Sequence, residues 1–93
     1  MFKTQLTVDE AIVRTRIARS KQYKRYITNT WNEVKEEIRK GRGSYTSFWL
    51  PDHNFGMKKE DILEDFKVIF AGYEICWSDR NIHNNRIEIK WMD

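Results

Sequence analysis

Ile27, Trp31, Val34 and Ile38 recur at intervals of four, three and four residues, with Glu33, Lys35, Glu36, Arg39 and Lys40 falling between them. That period gathers the apolar side chains on one stripe of an α-helix and assigns the stripe to the core. The helix starts earlier, because Thr7-Val8-Asp9-Glu10 is a capping box: the Thr oxygen accepts from the third amide and the Glu reaches back. No Gly or Pro interrupts the chain as far as Lys40, and Gly41 supplies the stop. Thr28-Asn29-Thr30 is poor helix interior, and Thr30 with Glu33 makes a second capping box. The pattern therefore predicts one long helix or two with a break near residue 28. Nearer the amino end, Ile12, Tyr23 and Tyr26 share a stripe with Arg16 and Arg19, while Val13 and Ile17 point elsewhere. An apolar stripe broken by arginines predicts a helix not packed along its whole length.

The second half changes period. Tyr45 to Leu50 is aromatic and β-branched, and Pro51-Asp52 closes it, which predicts a strand followed by a loop over 51–57. Ile62, Leu63, Phe66, Ile69 and Phe70 form an amphipathic helix ending at Ala71-Gly72. Tyr73, Ile75 and Trp77 then alternate with Glu74, Cys76 and Ser78, and Ile87, Ile89 and Trp91 alternate with Arg86, Glu88 and Lys90. Each run predicts a strand with one buried face, and the short Asp79 to Asn85 connection predicts an antiparallel hairpin. The expected fold is a single α+β domain over 1–93: an N-terminal helix or helix pair, then β-α-β-β. A right-handed crossover is expected to lay the first strand parallel to the second, giving a three-stranded mixed sheet with helices on one face. The other face is then partly open, with Phe48, Trp49 or Cys76 on it.

Ninety-three residues leave room for one thin core, since a chain this short buries only about 60% of the surface it exposes when unfolded. Four Trp, five Phe and four Tyr are what such a core is built from. A lone cysteine, Cys76, makes no internal disulfide and is expected as a small core residue in a reducing compartment. The opening residues lack the apolar run of a signal peptide, and no stretch approaches a membrane span, so a cytoplasmic protein without membrane contact is expected.

Charge is unevenly spread. Residues 1–43 carry eleven Lys or Arg against five Asp or Glu, and residues 44–93 carry six against nine, so the molecule has a basic end and an acidic end. Arg14, Arg16, Arg19, Lys21, Lys24 and Arg25 follow one another with no acidic residue between them.

The outline of residues 34–92 resembles small accessory proteins encoded by tailed bacteriophages. It is carried by Ile38-Arg39-Lys40-Gly41, Ser44-Tyr45-Thr46, Ile62-Leu63-Glu64-Asp65-Phe66, Gly72-Tyr73-Glu74-Ile75 and Ile87-Glu88-Ile89-Lys90-Trp91. Each element also has a purely structural explanation: glycine caps, aromatic rings packing, and alternation making strands. The resemblance implies an accessory product acting on a host component or a defence system in the cytoplasm of an infected cell. The cationic segment lies outside the matched outline.

Candidate chemistry is sparse. His53 and His83 stand in predicted loops beside Asp52 and near Asp79, but no paired-Cys or His-Glu-x-x-His spacing accompanies them, and solvated turn residues account for all four. Gly41-x-Gly43 lacks the third glycine of a phosphate loop and serves a tight helix-to-strand turn. No catalytic set, cofactor or metal site is therefore expected. Binding is better supported. Arg14, Lys21 and Arg25 share one helical face, while Arg16 and Arg19 line up with Tyr23 and Tyr26 on another. With Lys24, these eight are the candidate partner-binding residues. Cations and exposed rings of this kind suit an acidic protein surface, where Tyr, Trp and Arg are favoured, or a nucleic-acid strand, where cations meet phosphates and rings stack on bases. Pairing of two N-terminal helices into a homodimer is a third possibility, and a simply solvated charged face is a fourth.

Overall fold

A computed structural model describes residues 5–78 and 85–92. The predicted helix is single: α1 runs unbroken over Val8–Arg39. Thr7 Oγ1 caps it, accepting from the Glu10 amide at 3.1 Å. The break near residue 28 does not occur because both threonine hydroxyls turn back into the helix. Thr28 donates to the Lys24 carbonyl at 3.1 Å and Thr30 to the Tyr26 carbonyl at 2.7 Å, so neither competes for an exposed amide. At the other end Gly41 adopts φ 81°, the Gly41 amide bonds to the Ile38 carbonyl and the Arg42 amide to the Glu37 carbonyl. This is a Schellman turn, which needs the left-handed residue that glycine supplies. Ile38, expected in the core, is 45% exposed, since it stands in the last turn where the chain is already leaving the body.

Strands β1 (Ser44–Thr46), β2 (Glu74–Trp77) and β3 (Ile87–Lys90) form one sheet in the order β1-β3-β2, with helix α2 (Lys59–Ile69) between β1 and β2 in sequence. Both pairings are antiparallel: Tyr45 and Ile75 lie opposite Ile89, and Thr46 and Cys76 lie opposite Glu88. This corrects the expected mixed sheet. β1 and β2 do run the same way, but β3 lies between them. The reason is burial: Ile87 and Ile89 are fully covered, whereas the three residues of β1 are exposed or half-buried, so β3 belongs at the centre. The hairpin joining β2 to β3 is as expected, and most of its connection, like His83, lies outside the described residues. β1 is also shorter than the expected Tyr45–Leu50 strand. Phe48 and Trp49 turn outward, at 63% and 57% exposure, while the Ser47 and Leu50 amides still bond to the Ile87 and Asn85 carbonyls.

The core lies between the sheet and the two helices. Ile62 and Phe66 on α2 and Phe70 at its C-cap, spaced four apart, are fully buried with Val34 of α1 and Ile87 and Ile89 of β3. Trp31 stacks on Phe70 at 4.2 Å between ring centres, and Tyr73 meets both rings edge-on. Gly43 is a point of close approach: a β-carbon there would stand 2.8 Å from the Met92 carbonyl oxygen, whose own amide, with that of Trp91, bonds to the Gly43 carbonyl. Of the two expectations for Cys76, the open face holds and the core position does not: it is exposed, because alternation within β2 buries Ile75 and turns Cys76 outward.

One polar node ties α1 to the sheet. Ser47 is fully buried, and its Oγ accepts from the Ile87 amide at 2.8 Å, doing the work of a missing strand carbonyl. The Tyr26 hydroxyl reaches Ser47 Oγ at 2.7 Å and the Phe48 carbonyl at 2.6 Å. Replacing Ser47 by Ala orphans a buried amide, and the expected loss is about 1–3 kcal/mol by urea denaturation. Burial pushes the Tyr26 phenol from 10.0 up to about 12. The folded chain thus keeps a proton that the unfolded chain has lost above pH about 10. This contribution is intact below that pH and declines as the pH rises toward the folded value. Stability measured across pH 10 to 12 is expected to fall, and less steeply in Tyr26→Phe.

Candidate functional site

Thirty-two helical residues at about 1.5 Å each make α1 about 48 Å long. The molecule measures 61 × 26 × 21 Å, so the helix is nearly twice as long as the body is wide. Its C-terminal half supplies the core-facing residues from Tyr23 to Val34, and the half before it projects. From Val8 to Ala18 only Ala11 is even half-buried, and Val8, Ile12, Val13 and Ile17 are all exposed.

Five of the six clustered cations, Arg14, Arg16, Lys21, Lys24 and Arg25, are exposed, and Arg19 is half-buried. Among the described residues the ion pairs join Arg39 to Glu36, Lys40 and Arg42 to Glu37, and Lys67 to Glu64. None reaches the Arg14 to Arg25 segment. Arg14, Lys21 and Arg25 lie on the side of the helix opposite the core, while Arg16 and Arg19 continue the stripe of Tyr23 and Tyr26 toward the body.

Tyr23 and Tyr26 differ from expectation. They were expected to offer exposed rings, yet both are half-buried with their rings against Phe55 and Phe66, 5.3 to 6.4 Å between centres. The Tyr23 hydroxyl donates to Asp65 Oδ2 on α2. Burial and this bond raise its pKa well above the ordinary phenol value. The two tyrosines are where the helix enters the body, so they fix the direction of the arm, and their rings are engaged by Phe55 and Phe66.

Where the arm leaves the body an open cleft of about 470 Å³ forms, with Arg16, Arg19, Ser20 and Tyr23 on one side and Phe55, Gly56 and Met57 on the other. The second wall is a single turn, Asn54–Gly56, in which Asn54 and Phe55 take φ 47° and 56°. Left-handed backbone at a bulky residue is costly, and here burial of the Phe55 ring beneath Tyr23 and Tyr26 offsets it. His53 holds the turn: its Nδ1 accepts from the Phe55 amide at 3.0 Å and its carbonyl accepts from the Gly56 amide.

His53 is thereby a turn-capping residue, and Asp52 beside it is exposed, while His83 and Asp79 lie outside the described residues. Among the described residues no three His, Cys, Asp or Glu side chains gather as a metal site would require, and no helix is long and apolar enough to cross a membrane. On the open side of the molecule Arg86 lies over the Trp49 ring at 5.1 Å and donates to the Ser47 carbonyl. Three participants escaped sequence reasoning: Phe55, Asp65 and Ser47. Only Phe55 left a trace, an isolated aromatic in an otherwise polar loop.

Comparison with protein-family models, with curated proteins and with solved structures gives no match to this chain. The arm should behave as a helix supported at one end only. In hydrogen exchange, amides from Ile12 to Ala18 are expected to exchange well before those from Ile27 to Glu36, and trypsin is expected to cut after Arg14 and Arg16 before it cuts after Lys35. Equal protection along α1 would mean that the amino half has a covering surface of its own.

Proposed function

We propose that this chain is a non-catalytic interaction protein whose projecting helix grips an acidic protein surface bearing an apolar strip. One observation carries the proposal: Arg14, Lys21, Lys24 and Arg25 project with no acidic partner among the described residues, on the same segment as exposed Ile12, Val13 and Ile17. A phosphate backbone would satisfy the cations and leave the aliphatic side chains in water. A protein surface satisfies both. Partial withdrawal of Tyr23 and Tyr26 against Phe55 and Phe66 leaves less ring surface for stacking on bases, which weighs against the nucleic-acid alternative. The partner proposed is a host or defence-system protein in the bacterial cytoplasm, as the outline of residues 34–92, read from the sequence alone, implies.

The test is a photo-crosslinking residue placed at Val13, with Val68 as the exposed control on α2, followed by capture from a bacterial lysate. The expected product is an acidic protein crosslinked at Val13, absent at Val68 and lost when Arg14, Lys21 and Arg25 are all changed to Gln. A mixed DNA and RNA pool tests the alternative. A mobility shift at about 50 mM salt that disappears by about 200 mM would replace the protein partner with nucleic acid.

A further inference from the structure

The cleft at the root of the arm has a chemistry that protein binding by the outward face does not use. Arg16 and Arg19 are three residues apart, so their β-carbons are neighbours and their like charges repel. A pair of this kind is ordinarily relieved by a carboxylate, yet no ion pair joins either one to an acid among the described residues. Asp65, the acid bonded to Tyr23, accepts from the tyrosine hydroxyl and is outside the cleft lining. Arg19 carries a second sign of an absent partner. Its Nε is shut off from solvent and has no hydrogen-bond acceptor among the described residues. A buried donor left unpaired costs about 1–3 kcal/mol, and more on a charged group. The Arg19 side chain lies over Gly56, its Cδ and Nη1 each 3.7 Å from where a β-carbon would stand, which places the guanidinium against the opposite wall of the cleft.

We infer that this cleft binds a small-molecule oxyanion, a carboxylate or phosphate group carried on an apolar body. The anion sits between Arg16 and Arg19. A modest turn of the Arg19 side chain lets Nε and one Nη donate to it together, in the side-on fork that guanidinium offers to planar and tetrahedral oxyanions. Ser20 has a hydroxyl to give to the remaining oxygen. The apolar body lies on Phe55 and Met57, in a turn already held in shape by His53, so little ordering is needed on binding. This site stands apart from the outward face of Arg14, Lys21 and Arg25, and the inference does not rest on the identity or existence of a protein partner.

Phenyl phosphate and benzoate are the probes, with inorganic phosphate to remove the apolar body and benzyl alcohol to remove the charge. Binding is followed by NMR at the Arg19 Nε–H and the Phe55 and Gly56 amides of the intact chain. One or both aromatic anions are expected to give saturable shifts at these three groups, with inorganic phosphate at least about tenfold weaker and the alcohol silent. Whichever aromatic anion binds tighter identifies the headgroup. Arg19→Lys, which keeps the charge and loses the fork, is expected to weaken binding about tenfold or more, and Arg16→Gln with Arg19→Gln to abolish it. Circular dichroism and an unchanged Phe55 amide shift in the free variants establish that the fold survives. The inference is overturned by a silent titration up to about ten millimolar. It is overturned equally by shifts that persist in the double variant, or that spread over Arg14, Lys21 and Arg25 and fade with added salt as a diffuse ion atmosphere does. None of these results bears on crosslinking at Val13, so the two proposals fail separately.

Discussion

A rigid rod longer than the body it is packed on is the constraint from which the rest of this molecule follows. The sheet of three short strands and the eleven residues of α2 can cover only part of a 32-residue helix. Burial therefore selects a segment of α1, and the segment selected is the one with Tyr23, Tyr26, Ile27, Trp31 and Val34 on a single stripe. The amino half is helical for a different reason. An isolated helix of that length is marginal in water, because nucleation is costly. Here the nucleus is already formed by the packed half, and each added residue gains a backbone hydrogen bond with no new nucleation. The Thr7 cap and the acidic pair Asp9 and Glu10 at the positive end of the helix dipole complete it.

Two tyrosine hydroxyls decide where the rod is gripped. Phenylalanine at the same positions would bury similar area against Phe55 and Phe66, but a ring packed only by dispersion leaves the helix free to slide by small amounts. Tyr26 is held to Ser47 and Phe48 beside the sheet, and Tyr23 to Asp65 on α2, so α1 is registered against both other layers at once. The Asn54–Gly56 turn is wedged between the two tyrosines by the Phe55 ring. Its unusual backbone is tolerated because ring burial, the His53 cap and the start of α2 at Lys59 all hold it in place. The cleft inherits that rigidity on one wall and the arginines of the helix on the other.

Much of this was legible in the chain. Period decided the helices and strands, since Ile87 and Ile89 could be buried together only as a strand, and Ile62, Phe66 and Phe70 only as a helix. Thr7 and Gly41 marked the ends of α1 through chemistry that is local. Sheet order was not legible, because alternation says which face of a strand is buried and nothing about which strand lies beside it. β3 became central through the burial of both its isoleucines relative to β1, a comparison that exists only once all three strands are together. The two threonines at 28 and 30 were ambiguous for a similar reason: the same hydroxyl can cap a new helix or bond back into an old one, and packing of Thr30 in the core decided it. In the site, the cations and their isolation from acids could be read directly. The direction of Tyr23 and Tyr26 could not, because their partners Asp65 and Ser47 are 42 and 21 residues away.

The separation of charge within the chain is held by helix stiffness. The acidic side chains of the second half, Glu60, Asp61 and Glu64 on α2 among them, attract the arm, and in a chain free to bend they would pair with it. Folding the arm back would require α1 to break between Ala18 and Tyr23. Several backbone hydrogen bonds would be exposed there, and the Tyr23 anchor to Asp65 would be strained. In return the molecule would gain surface ion pairs worth about 0–1 kcal/mol each, which do not offset that loss. The straight helix therefore wins, and the arm keeps its cations directed away from the acids of α2. A cationic rod kept from the counter-charges of α2 by backbone hydrogen bonding retains its attraction for external anions, which is the physical basis of the binding role proposed for this part of the protein.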